Sequence, residues 1–362
     1  MTASWGLWPA VNTAQGSSRR TASSKPERQP QLIERLATLW FGMTFCSLLW
    51  VWVLPVYMAW TSRWAAAAIA IYFAYILGPG WKDAVADKRV PLRQPVLKKW
   101  SAWPHMARYF SARLVRTAEL PPDGNYIFTM VPHGLCAVSG WINFATDATG
   151  FSRTFPGINV HCCTLESNFR VPLLREYILA HGLLAASKGA IRNALTRGAG
   201  ESVLLVPGGA AEALVAAPGT YNTLAGKRRG FVHMALETGA SIVPVFAFGE
   251  TDMYWTHIPA RGSLLARVLR AVKGVCGFAV VLFWGVGFFH GHGIMPRAVP
   301  LTTVVGAPIK VDKWAGPKEG QEYSDQVEAL HKQYCTAITT LWEQYKDQYA
   351  PDRKSELRIL SE

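Results

Sequence analysis

The chain has 362 residues, enough for one large domain or two smaller ones, each with a sizeable core. Half of the residues are hydrophobic, 15 are tryptophan and only 17% are charged, a balance too apolar for an ordinary freely soluble enzyme and one that points to contact with lipid. The net charge of +13 is concentrated in residues 1–99, which carry 12 Lys/Arg against 4 Asp/Glu. Beside long apolar segments, and with no zinc-knuckle, RNA-recognition or helix-turn-helix pattern, that charge suits an anionic membrane surface and argues against nucleic acid. The six cysteines (Cys46, Cys136, Cys162, Cys163, Cys276, Cys335) include no C-x-x-C pair, so they read as small buried hydrophobes in a reducing compartment.

Residues 1–30 are rich in Ser, Thr, Pro and basic residues without apolar periodicity, which predicts a disordered tail, bounded at residue 35. No compact apolar core with a cleavage site comes early enough for a signal peptide. Residues 36–60 hold no charge, and their 25 positions reach the roughly 20 that a helix needs to cross a bilayer. Pro55 kinks the second half, and Trp40, Trp50, Trp52 and Trp60 suit membrane interfaces. After Thr61-Ser62-Arg63 comes a second uncharged stretch, 64–81, with Gly-Pro-Gly near its end. Basic residues flank the pair on both sides, so 36–81 is expected to form a membrane-embedded hairpin or a re-entrant wedge with both chain termini in the cytosol. A basic amphipathic linker is expected over 82–120.

From residue 121 to 362 strand-like and helix-like segments alternate. Strands are predicted at 126–131, 202–206, 241–248 and 301–305. Helices are predicted at 170–181, 187–197, 230–238 (stopped by Gly239) and 325–348, the last with an apolar stripe at Val327, Leu330, Tyr334, Ile338, Leu341 and Tyr345. The pattern is that of an α/β domain with a mostly parallel sheet flanked by helices. The apolar stretch 275–289 contains three glycines and is short for a span, which makes it a pocket wall or an interfacial segment.

Three segments carry candidate chemistry. In NYIFTMVPHG a strand meets Pro132-His133-Gly134, which sets an imidazole at the C-terminal end of a strand, where open α/β sheets hold their ligands. Gly134 permits close approach, and His133 can act as a general base near neutral pH. In SVLLVPGGAAEAL a buried strand runs into Pro207-Gly208-Gly209 and a helix carrying Glu212. The two glycines expose backbone N–H groups for an oxyanion, and Glu212 is the candidate carboxylate to orient the His133 imidazole. In GKRRGFVHMALETGASIVPVFAFGE, the cluster Lys227, Arg228 and Arg229 precedes a helix and a strand ends in Gly249-Glu250. A basic cluster at a helix N-terminus suits a polyanion such as coenzyme A phosphates. His161, His290 and His292 read as structural, and no metal site is expected.

These segments, with FPGINV, TLESNFRVPLLREYIL, FFHGHGI and LTTVVGAPI in the same order, resemble the diacylglycerol O-acyltransferase 2 family, which includes monoacylglycerol and wax-ester acyltransferases. The likeness runs from about residue 121 to 309, weakens toward the C-terminus and includes the N-terminal apolar hairpin. It implies transfer of a fatty acyl group from acyl-CoA, a co-substrate with no resident cofactor, to diacylglycerol at the endoplasmic reticulum membrane and lipid droplets. It places His133 on the family's essential histidine and Pro132, Gly134, Asn168, Gly208, Gly209, Arg228, Arg229, Gly230, Phe231, Gly249 and Glu250 around the substrates. This chain departs from the pattern in three places. The first motif histidine is Val131, the basic residue after Gly-Phe-Val is His233, and the position five after His133, an acid in glycerophosphate acyltransferases, is Val138. Other acceptors (monoacylglycerol, a long-chain alcohol, a sterol or phytol) fit the same chemistry. A homo-oligomer is allowed, and a catalytically silent lipid-binding membrane protein is the reading from a different class.

Overall fold

A computed structural model of the chain describes residues 28–45, 48–86, 96–257 and 281–360, with short stretches between 259 and 271. Residues 1–27, Cys46, Cys276 and most of the first half of the apolar stretch 275–289 lie outside the described residues.

The strands, in chain order, are β1 (Arg113–Arg116), β2 (Tyr126–Val131), β3 (Asn159–Thr164), β4 (Leu184–Ala185), β5 (Glu201–Leu205) and β6 (Asn222–Thr223). They continue with β7 (Ser241–Phe248), β8 (Trp255–His257), β9 (Leu282–Val286), β10 (His292–Gly293), β11 (Thr302–Val305) and β12 (Arg358–Ile359). Seven of them make the central sheet in the order β1-β11-β7-β2-β5-β3-β4, every pair parallel except β11 with β7. Strand β2 is buried along its whole length, because both faces of the sheet are covered. Its side chains alternate: Tyr126, Phe128 and Met130 enter one apolar cluster, Ile127 and Val131 the other.

The first face is covered by α5 (Ala102–Tyr109), by α6 (Val138–Gly140) with the π-helical turn that follows it, by α7 (Phe151–Thr154) and by α8 (Leu174–Ala180). The second is covered by α9 (Lys188–Leu195), α10 (Gly230–Thr238) and the long helix Gln321–Tyr349, whose buried Val327, Leu330, Tyr334, Ile338 and Leu341 are the stripe expected from the sequence. Helix α10 stops at Gly239, whose φ of 79° is left-handed. Smaller sheets, β10-β9-β8 and β12-β6, lie outside this core. The expected strands and helices of residues 121–362 are thus present, while the strand Asn159–Thr164 was not anticipated, since His161 and the two cysteines hide its alternation.

The N-terminal part departs from expectation. Four helices run in succession, α1 (Leu32–Phe45), α2 (Leu48–Thr61), α3 (Arg63–Leu77) and α4 (Pro79–Val85). The described part of residues 36–60 falls in α1 and α2, with residues 46 and 47 between them outside the described residues. Helix α1 is amphipathic and belongs to the globular part: it buries Glu34, Ala37, Thr38 and Phe41 and packs along α5. The Glu34 carboxylate receives Arg28 at 2.5 Å and Arg108 of α5 at 3.4 Å. Helices α2 and α3 pack together, and Ser62 caps α3 by accepting the Ala65 N–H. Among the described residues one helical stretch, Arg63–Val85, is long and apolar enough to cross a membrane, and only 11% of its apolar window is buried. Residues 102–116 of the expected linker form α5 and β1, so they are part of the domain.

The apolar arm is latched to the loop and helix that follow β3. The Tyr72 hydroxyl hydrogen-bonds the Glu176 carboxylate and accepts the Leu173 N–H. Arg175, fully buried, donates to Glu176 at 2.8 Å and to the Gly80 carbonyl at 3.3 Å, and lies 5.1 Å from the Tyr75 ring. Arg170 stacks 3.9 Å from the Trp81 ring. Replacing Arg175 by Met removes the charged donors from this junction, at a cost of about 2 kcal/mol. We expect Arg175→Met to speed tryptic cleavage after Lys82 several-fold in intact membranes; an unchanged cleavage rate would show that the latch is dispensable.

Candidate active site

Strand β2 lies between β5 and β7, and all three run parallel, so the segments leaving their C-terminal ends meet at one edge. They are the three chemical segments of the sequence: Pro132-His133-Gly134 after β2, Pro207 to Glu212 after β5, and Gly249-Glu250 after β7. The Val131–Pro132 peptide is cis.

Two buried carboxylates brace the histidine turn from either side. Glu212, 1% exposed, accepts the backbone N–H of His133 through Oε2 at 2.6 Å. Its Oε1 accepts the Thr223 hydroxyl at 2.5 Å and the Leu224 N–H at 2.7 Å. Glu250, equally buried, accepts the N–H groups of Val138 and Ser139 at 2.7 and 2.8 Å, capping α6, and burial pushes its carboxyl up to about 7. Its backbone crosses Gly134 so closely that a Cβ there would lie 2.7 Å from the Glu250 carbonyl oxygen. With φ at +58°, Gly134 is required by conformation and by space. Gly208 is required too: a Cβ would sit 1.8 Å from Glu212 Oε1.

The imidazole of His133 is half-buried, and its Nδ1 lies 3.2 Å from the Gly134 carbonyl oxygen. Nδ1–H donates there, which leaves Nε2 as the basic nitrogen. Burial lowers the His133 pKa below its ordinary value, against the upward pull of the Gly134 hydrogen bond and the Glu212 charge. The ring is therefore neutral and ready to accept a proton at neutral pH.

Three expected roles change. Glu212 does meet His133, but at its main-chain amide; the ring is oriented by the Gly134 carbonyl. The Gly209 N–H donates to the Val206 carbonyl at 2.9 Å inside the turn, so it is not an oxyanion donor. Arg229 is committed to the long helix, with Glu328 at 2.7 and 3.0 Å and His331 at 3.1 Å, because its guanidinium faces that helix; Lys227 and Arg228 are exposed beside it. Phe231 is a core side chain, packed edge-on against Tyr334 with ring centroids 4.8 Å apart. Gly230 opens α10, and Gly249 (φ +83°) passes under the Pro300 carbonyl. Asn168 sits in the turn after β3 and donates to the Thr164 hydroxyl at 2.8 Å. Sequence reasoning missed Thr223 and Leu224, the donors that fix Glu212; a Thr eleven positions past a Glu has no pattern that marks it. His161 is paired with Glu201 at 2.7 Å, and His290 and His292 are exposed. Among the described residues no group of three His, Cys, Asp or Glu is placed to hold a metal ion.

The α/β domain with a histidine on a rigid turn at the sheet edge is that of an acyltransferase. The family model for diacylglycerol acyltransferase matches residues 57–359, and the chain belongs to that family. Among curated relatives, acyl-CoA wax alcohol acyltransferase 1 of Homo sapiens is 34% identical over 92% of this chain and 99% of its own. Diacylglycerol O-acyltransferase 2 of Danio rerio is 36% identical over 90% and 89%, and diacylglycerol O-acyltransferase 2B of Umbelopsis ramanniana 38% over 74% and 77%. No solved structure matches the chain.

Glu212→Gln separates the two ways in which this carboxylate can act on His133. Its charge raises the imidazole pKa, so removing the charge lowers that pKa and moves the acid limb of the rate profile further down. We expect this shift together with a fall in kcat of at least ten-fold. A fall in kcat with the acid limb unmoved would assign Glu212 a purely structural role.

Proposed function

We propose that this chain is an acyl-CoA-dependent O-acyltransferase that makes triacylglycerol from diacylglycerol at the endoplasmic reticulum membrane, with lipid droplets as a second location. The observation that carries the reading is the half-buried, neutral imidazole of His133 with Nε2 free, braced by Glu212 and Glu250 at the edge where three parallel strands end.

The mechanism follows from that geometry. Nε2 takes the proton of the acceptor's hydroxyl, and the oxygen attacks the thioester carbonyl carbon of acyl-CoA. The tetrahedral intermediate collapses, the C–S bond breaks, and the thiolate of coenzyme A leaves with the proton from the imidazolium. Nδ1–H stays on the Gly134 carbonyl throughout, holding the ring's orientation. Water is kept from the base by the burial of the turn. The acceptor enters from the bilayer along the apolar arm, whose α2 and α3 leave Val53, Val56, Tyr57, Trp60, Trp64 and Ile71 exposed. We place both ends of the chain in the cytosol, the side from which acyl-CoA arrives.

A long-chain alcohol is the second acceptor, favoured by the match to the human wax alcohol enzyme over 99% of that protein. Microsomes holding the chain, given labelled acyl-CoA and a panel of acceptors, separate these readings. We expect triacylglycerol from diacylglycerol as the main product; wax ester as the main product favours the second reading, and no product from any acceptor a lipid-binding role. His133→Ala should lower product formation by at least about 10³-fold while the protein stays in the membrane; full activity would remove His133 from the chemistry. Because burial depresses the His133 pKa, the wild-type kcat should stay flat from pH 7.5 down through the ordinary histidine value of 6.5 and fall only below it.

A further inference from the structure

The loops that brace His133 continue outward and enclose a second, more polar space. Beyond Glu212 the chain turns through residues 215–221, and beyond Glu250 it turns through 251–256; the two are tied by the Asp252 carboxylate, which accepts the Gly219 N–H at 2.6 Å, and by the Thr256 hydroxyl, which donates to the Ala216 carbonyl at 2.6 Å. Between them and the end of the long helix is a cavity of about 190 Å³, walled in part by Tyr221, Gly249, Asp252, Trp255, Arg297 and Lys354. Gly249 lines this cavity, and its neighbour Glu250 meets the histidine turn at Gly134.

Arg297 is the notable wall residue. Its guanidinium stacks 4.7 Å from the Trp255 ring and has no hydrogen-bond or carboxylate partner within bonding distance among the described residues. A planar guanidinium held on an aromatic face keeps its five donors in a fixed plane, the geometry that matches a phosphate. Lys354 closes the opposite side: its backbone N–H donates to the Gly219 carbonyl at 2.8 Å, its stem packs against Gly219, and its side chain is exposed. Arg353, also in the wall, is neutralised by Asp347 and Glu356 at 2.9 and 2.8 Å. Asp252 and Asp352 are the acids in the wall; burial raises the Asp252 pKa, and its carboxylate accepts the Gly219 N–H. Pockets for whole drug-sized ligands run to about 300–1,000 Å³, so this space takes one polar end of a larger molecule.

We propose that this cavity is a phosphate site that receives one phosphoryl group of the acyl-CoA donor, held by Arg297 and Lys354. The proposal rests on the acyl-CoA reading above and shifts donor recognition away from Arg229, which the long helix occupies. It places the charged end of the donor beyond the Gly249-Glu250 segment, whose Glu250 meets the histidine turn, so the thioester reaches back past that segment to the base.

The test uses the full chain in membranes, with Arg297→Gln and Lys354→Gln. The KM for palmitoyl-CoA should rise about ten-fold in Arg297→Gln, and less in Lys354→Gln, with kcat and the KM for diacylglycerol within two-fold. Palmitoyl-3′-dephospho-CoA then tells which phosphate is held. If the 3′-phosphate is bound, Arg297→Gln adds no penalty with this donor; if the diphosphate is bound, the penalty persists, and both outcomes support the site. An unchanged KM for palmitoyl-CoA in both variants overturns it. Should Arg297→Gln fail to accumulate, the exposed Lys354→Gln decides alone. If the wild type transfers no acyl group, the enzymatic reading fails by itself, and equilibrium binding of labelled CoA still reads the site: loss of binding in the variants supports it, equal binding refutes it.

Discussion

The site depends on one buried anion. Glu212 has almost no contact with solvent, and its two oxygens accept three donors drawn from two stretches of chain: the His133 amide after β2, and the Thr223 hydroxyl and Leu224 amide before α10. A carboxylate in that position is tolerable only because its lone pairs are filled, and each donor would in turn be stranded without it. The glycine at 208 exists to let the carboxylate in. Removing any member of this set therefore disturbs the others, and the position of the His133 ring with them.

The same arrangement explains how His133 is tuned. A carboxylate bonded directly to the ring would raise the imidazole pKa further. Here the charge of Glu212 is absorbed by backbone and hydroxyl donors, and the ring rests on a neutral carbonyl. Burial then outweighs both upward influences, and the base stays unprotonated. The valine at 131, where the family pattern has a histidine, fits this picture: it points into the core on the second face of the sheet and takes no part in the proton's path.

How much of this was legible in the sequence varies by element. Strands β2 and β7 and helix α10 are bounded where pattern places them, because their apolar runs end at Pro-His-Gly, Gly-Glu and Gly239, residues with few conformational options. The convergence of His133, Glu212 and Glu250 was legible through strand-to-turn junctions. What each carboxylate bonds was not, since a hydrogen bond to a main-chain amide leaves no mark on residue type. The first apolar stretch misled for a related reason. Hydropathy sees that residues 36–60 lack charge, yet it is blind to Glu34 and Arg108, whose pairing fastens α1 to α5. Likewise Arg229 looks like a ligand-binding cation until Glu328, almost a hundred positions later, is seen beside it.

The small sheet β12-β6 carries a consequence for biosynthesis. Arg358 and Ile359 pair with Asn222 and Thr223, and Thr223 is a donor to Glu212. The apolar arm, by contrast, is complete by residue 85. A chain emerging from the ribosome thus presents its apolar helices long before the support for the His133 turn can close, since residues 358–359 follow His133 by more than two hundred positions. The support for the histidine turn therefore closes only after residues 358–359 have been made.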